Sequence, residues 1–230
     1  MNEYSGLFIT LEGIEGVGKS TCLKYIKKYL EKKNIPHVIT REPGGTPLAE
    51  EMRSLLLHRY EEAIHPDTEL LLLFAGRAQH LYQVIFPALK EGKWVISDRF
   101  TDASYAYQSG GRGIAEKKIA LLENLVQENF RPNLVLLLDA PVKRALLRTS
   151  RRKQPDRIER EKEKFFHNVR RVYLERAHAQ PRRYRIINAS RPLSVVKRRI
   201  MQILDDWIVR HSPDKSTVIK SKEKENHAVK

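Results

Sequence analysis

The chain has 230 residues, 41% hydrophobic and 31% charged, enough for one large domain or two small ones. No apolar stretch reaches the roughly 18 residues that a membrane-spanning helix needs, and the single cysteine, Cys22, excludes an internal disulfide. The net charge of +15 is local: residues 143–200 carry 20 Lys and Arg against 5 Asp and Glu, whereas residues 1–142 carry 17 against 18.

The opening MNEYSGLFIT lacks a basic region followed by an apolar run and a small-residue cleavage site, so no signal peptide is expected. With the lone cysteine, this predicts a soluble cytoplasmic protein without membrane partners. LFITLE (7–12) reads as a buried strand, followed by a glycine loop and a helix with Leu23, Ile26 and Leu30 on one side. HVITRE (37–42) is a second strand, and Pro47 to Leu57 a helix. Asp67 to Leu89 is a long apolar helix, broken near Pro87. WVISD (94–98), LVLLLDA (134–140) and YRIINA (184–189) complete five strands. Helical patterns also run from Glu159 to Ala179 and from Leu193 to Val209. No internal repeat interrupts this order, and the polar, basic stretch 211–230 is expected to be disordered.

Alternating strands and helices predict an α/β fold, a parallel sheet of five strands with helices on both faces. Strand runs with little polar alternation fit burial on both faces. Ligands in such sheets bind beyond the carboxyl ends of the strands. The polar residues that interrupt the pattern stand there: Glu12-Gly13, Arg41-Glu42, Asp98-Arg99 and Asp139.

GIEGVGKS, comprising Gly13, Ile14, Glu15, Gly16, Val17, Gly18, Lys19 and Ser20, matches G-x-x-x-x-G-K-S between a strand and a helix. Its glycines let backbone N–H groups turn towards phosphate oxygens, and the helix adds its positive end. Lys19 is expected to reach the β- and γ-phosphates and Ser20 to help hold Mg²⁺. The loop does not specify the reaction, since NTPases, small-molecule kinases and DNA motors share it. No strand ends in Asp-Glu as in a hydrolytic ATPase.

Four further segments are more specific: TREPGGTPLAEEMRSLLL (40–57), ELLLLFAGRAQHL (69–81), SDRFTDASYAYQSGGRG (97–113) and RRKQPDRIERE (151–161). With FITLEGIEGVGKST they resemble bacterial thymidylate kinase, in order from Leu7 to Trp207. The resemblance implies a P-loop kinase fold in one domain over residues 1–210 and transfer of the γ-phosphoryl of ATP to dTMP. It also implies a homodimer and a lid at about residues 148–160.

On that resemblance, Arg41 and Arg99 grip the acceptor phosphate through paired hydrogen bonds. For Arg41 a surface salt bridge is the competing account. The family sets an aromatic four residues before an arginine, to stack on and hydrogen-bond thymine. Here Leu73 stands four before Arg77 and Phe74 three before, both on one helix face. Phe74 is expected to stack and Arg77 to read the base edge, with Phe74 as ordinary core the alternative. Ser104 and Gln108 are expected to hydrogen-bond the pyrimidine, and Tyr107 to crowd the sugar's 2′ position. Asp98 holds Mg²⁺ through water or orients acceptor and metal. Glu15 either faces the acceptor or caps the loop.

The phosphate loop carries no basic residue besides Lys19, so lid arginines are expected to stabilise the charge of the transition state. Arg152 is the expected catalytic arginine, with Arg151 in reach of a one-residue shift. Arg148 is the second candidate, for ATP phosphates or adenine. Most of Arg170, Arg171, Arg176, Arg182 and Arg183 read as solvated helix faces. The rival account of the basic block, a nucleic-acid surface serving a nucleic-acid-dependent ATPase, predicts salt-sensitive binding. No dedicated nucleic-acid motif supports it, and few aromatics interleave with the arginines. A kinase for another nucleoside monophosphate is the third reading.

Overall fold

A computed structural model describes residues 4–149 and 156–211. The lid residues Arg151 and Arg152, and the tail beyond His211, lie outside the described residues. Five strands, β1 (Phe8–Glu12), β2 (His37–Arg41), β3 (Trp94–Asp98), β4 (Leu134–Asp139) and β5 (Tyr184–Asn188), form one parallel sheet in the order β2-β3-β1-β4-β5. β1 is central and fully buried. Its alternating side chains serve opposite layers: Phe8 joins Leu81, Ile85, Leu89 and Val95, while Ile9 and Leu11 join Ile26, Leu30 and Ile96. By the same parity Glu12 lies on the Phe8 side.

Helix α1 (Lys19–Lys32) leaves the glycine loop and packs on β1, β2, β3 and the terminal helix α9 (Leu193–His211). Two further helices begin on side-chain caps followed by proline. Thr46 accepts from Ala49 N at the start of α2 (Pro47–Leu57), and His65 accepts from Asp67 N at the start of α3 (Pro66–His80). No side chain caps α1, whose Gly18 N-cap is left-handed. The first amides of α1 are thus without a side-chain partner, as suits an anion site.

The structure corrects several boundaries. The long third helix is not broken at Pro87. It passes through a widened π turn, Leu81–Ile85, closed by the bond from Phe86 N to the Leu81 carbonyl, into α4 (Phe86–Lys90), so the irregular turn lies just before Pro87, which cannot donate to a regular ladder. After β3, α5 (Thr101–Ser104) continues into a π segment, Tyr105–Gly111, and then α6 (Glu116–Gln127). The short α7 (Val142–Thr149) follows β4. The pattern expected to be helical from Glu159 begins only at Glu163, as α8 (Glu163–Ala179), because Asp156 caps a turn by accepting from Ile158 N and Glu159 N.

Arg170 and Arg176 are not solvated helix faces. Arg170 makes two hydrogen bonds to Asp139, of 2.7 and 2.8 Å. Arg176 pairs with buried Asp102 over the Tyr105 ring. Arg171, by contrast, is exposed and pairs with Glu175 one turn away. Part of the basic block is therefore neutralised inside the fold. No described helix is long and apolar enough to cross a membrane.

Candidate active site

A cleft of about 610 Å³ opens beyond the carboxyl ends of β1, β2 and β3. One wall is formed by residues 15–20 of the glycine loop. Gly16 has φ 75°, and a Cβ there would lie 2.0 Å from the Ala145 carbonyl oxygen, so the packing of α7 on the loop demands glycine. Ile14 and Val17 bury their side chains in the core. Lys19 Nζ donates to the carbonyls of Gly13 and Ile14 at 2.9 and 3.1 Å. Burial first, and Arg99 second, lower its ammonium to about 8 against the pull of Asp98, Glu15 and Glu12. Ser20 is exposed and lines the cleft. Arg148, from α7, donates to the Gly16 carbonyl at 3.3 Å, which places it against the loop.

The facing wall begins where β3 ends. Arg99 adopts φ 73°, an uncommon backbone for a residue with a Cβ. Its guanidinium donates to Glu15 Oε1 at 2.7 Å and to Tyr173 Oη at 3.1 Å, and lies 4.6 Å from the centroid of the Tyr107 ring. Tyr107 Oη also donates to Glu15. Glu15 thus turns from the loop towards Arg99 and Tyr107. Asp98 lines the cleft with its buried Oδ1 unpartnered. A buried carboxylate oxygen without a donor suits a water or hydrated cation.

Farther along, Arg77 is 3% exposed yet borders the cleft. It donates to Glu42 at 2.7 Å and to Ser104 Oγ at 3.0 Å, and its Nη1 has no partner among the described residues. Burial alone would raise the Glu42 carboxyl. Arg77 and His80 outweigh it and hold the group below the usual carboxylate range. Phe74 is 2% exposed and does not line the cleft; Arg77 lies 4.5 Å from its ring centroid. Leu73 lines the cleft instead. The expectation that Phe74 stacks on a base is therefore corrected. The one-residue step along the helix turns Phe74 into the core, where it supports Arg77.

Gln108 borders the cleft and donates through Nε2 to Glu69. Arg41 lies at the rim, its side chain 54% exposed, and pairs with Glu50 of α2 at 2.8 Å. The surface ion pair, the competing account of Arg41, is thus present, and the residue also borders the cleft.

Several residues around the site were given no role by the sequence reading. Glu12 is fully buried; its Oε1 accepts from Phe100 N and its Oε2 from Tyr173 Oη, both at 2.8 Å. Burial and Asp102 raise its carboxyl to about 8, against Arg99, Tyr173 and Phe100. Its charge at the end of an apolar strand was the available signal. Tyr173, Glu69, Arg53 and Arg157 gave none, because helical spacing does not say which polar residues turn inward. Arg157, within the expected lid, donates to the Leu56 carbonyl at 3.0 Å and pairs with Glu69.

Comparison with known proteins agrees with this arrangement. A family model described as thymidylate kinase matches residues 11–200. The chain is similar to a thymidylate kinase of Pseudomonas entomophila (strain L48), 55% identical over 206 residues, covering 90% of this chain and 98% of that one. A Methylobacillus flagellatus thymidylate kinase is 48% identical over 202 residues, covering 88% and 98%. The crystal structure of thymidylate kinase from Ehrlichia chaffeensis matches with a TM-score of 0.69 at 31% identity, covering 86% of this chain and 98% of that one.

Proposed function

Because the chain belongs to the thymidylate kinase family and so phosphorylates dTMP to dTDP with ATP as phosphoryl donor, we propose that the transfer takes place between the Gly13–Ser20 loop and the Arg99 cluster. The observation that carries this reading is the 2.7 Å bond from Arg99 to Glu15. It sets the guanidinium assigned to the acceptor phosphate one hydrogen bond from the loop assigned to the donor. Phosphoryl transfer needs in-line positioning and charge stabilisation more than covalent help.

In this reading Lys19 and the loop amides hold the ATP phosphates, and Arg148 borders them. Arg99 and Arg41 hold the phosphate of dTMP. Arg77, through its unpartnered Nη1, reads the base edge with Gln108 and Ser104, and Leu73 rather than Phe74 faces the base. Tyr107 stands beside the sugar. Glu15 keeps Arg99 aligned until the acceptor arrives. Ser20 and Asp98 would hold Mg²⁺, which supplies positive charge to the transferred group. Among the described residues no cluster of three His, Cys, Asp or Glu could cage a metal. That fits Mg²⁺, which keeps several waters and takes few protein ligands. Arg152 is proposed as the catalytic arginine on the resemblance of RRKQPDRIERE alone.

The test offers ATP and Mg²⁺ with dTMP, dUMP, CMP, AMP or DNA and measures ADP. Formation of dTDP is expected; ADP only with DNA would restore the nucleic-acid reading. Arg152→Ala is expected to cut turnover strongly with dTMP affinity nearly unchanged. A pure loss of affinity would move that arginine to the acceptor.

A cytoplasmic homodimer completes the proposal. The buried free thiol of Cys22, raised to about 11 by burial, suits a reducing compartment. Leu71 on α3 and Leu121 and Leu125 on α6 are mostly exposed on two helices that pack together. Light scattering should give twice the chain mass, reduced by Leu121→Glu with Leu125→Glu. A monomeric wild type overturns the dimer.

A further inference from the structure

Glu69, in the first turn of α3, gathers donors from separate parts of the chain. Gln108 Nε2 donates to its Oε1 at 2.8 Å, Arg112 pairs with the same oxygen at 3.3 Å, and Arg157 pairs with Oε2. The side chain is 3% exposed. Burial would favour the neutral acid, but Arg112, Gln108 and Arg157 outweigh it and hold the group below the usual carboxylate range. An ionised carboxylate accepts hydrogen bonds and has none to give. Gln108 therefore has no choice of orientation: its NH₂ faces Glu69, and its Oε1, which meets no donor among the described residues, is left for the cleft.

We propose that Glu69 is a positioning residue that fixes the polarity of the Gln108 amide, so that the cleft offers a hydrogen-bond acceptor to the ring N–H of a thymine-type base and rejects cytosine. The orphaned Arg77 Nη1 supplies a donor nearby. A donor beside an acceptor matches the adjacent carbonyl oxygen and N3–H of thymine. Cytosine reverses both, presenting an amino group and a bare ring nitrogen, and would leave two buried polar groups facing their own kind. Uracil shares the thymine pattern, so this device is blind to the 5-methyl group.

The inference rests on the placement of Gln108 at the base, and the test separates the two. Steady-state kcat/KM is measured for dTMP, dCMP and dUMP with wild type, Glu69→Gln, Gln108→Ala and Arg112→Lys. A glutamine at 69 both donates and accepts, so Gln108 becomes free to turn. Glu69→Gln is expected to lower the dTMP-over-dCMP ratio about tenfold or more and to leave the dTMP-over-dUMP ratio unchanged. Arg112→Lys alters the same ion-pair cluster but keeps a positive charge beside the carboxylate, and is expected to hold both ratios. Equal loss for dTMP and dCMP in Glu69→Gln, with Gln108→Ala lowering the ratio, overturns the role of Glu69 alone. If Gln108→Ala leaves the ratio untouched, Gln108 is not at the base and the site assignment itself fails.

Discussion

The two walls of the cleft are built differently. The wall proposed for the donor is six consecutive residues, 15–20, with backbone amides, one lysine and the uncapped start of α1 as its proposed working groups. The acceptor wall is a web of side chains. Arg99 from the end of β3, Glu15 from the loop, Tyr107 from the π segment and Tyr173 from α8 hold one another, while Arg77 is held by Glu42 and Ser104. A backbone cradle depends on local conformation and tolerates change around it. A side-chain web depends on each member, so damage spreads to neighbours.

The largest expected effect lies on the donor wall. Lys19→Ala should lower kcat on the order of 10³-fold, with dTMP binding, read by titration, nearly intact. A comparable loss of dTMP binding would mean that the walls are not separable. Arg99→Ala should follow, with kcat/KM for dTMP down about 10²-fold, because a charge-assisted grip is lost and Glu15 is left without its partner. Tyr173→Phe removes one hydroxyl between Glu12 and Arg99. KM for dTMP should rise about threefold to tenfold, while KM for ATP stays constant; equal changes in both would break the division.

Glu12 sharpens the comparison through pH. Its carboxyl is raised to about 8 in the fold, from 4.5. Between those values the native state holds a proton that the unfolded chain has released, so its contribution to stability falls as pH rises through that window. Glu12→Gln should flatten this fall, as measured by urea unfolding from pH 5 to 8.5. A wild-type slope that the variant retains would assign the dependence to other groups. The smallest effect belongs to the rim: Glu50→Ala, breaking the exposed pair with Arg41, should change stability by less than about 1 kcal/mol.

Legibility followed the same division. The conformation of the phosphate loop was legible, because it is local: glycine spacing between a strand and a helix specifies it, though not the partner of Glu15. Strand order along the chain and the polar strand ends were legible as well, since burial on both faces writes itself as apolar runs. Arg99 and Gln108 could be singled out through resemblance, but not what holds them. Phe74 shows the limit most clearly. One position of helical phase separates a ring facing the cleft from a ring under Arg77, and that phase depends on how α3 seats against its neighbours.

By itself, then, the amino-acid sequence determined the elements that form without distant partners: five apolar strands, the glycine loop after the first, and charged residues at strand ends. Only the tertiary structure decided which charges face each other. Glu12 meets Tyr173 across 161 positions, Glu15 meets Arg99 across 84 and Glu69 meets Arg157 across 88. The physical reason is range: backbone conformation and burial periodicity are set by neighbours in the chain, while the pairing of buried charges is set by which helices the sheet brings together.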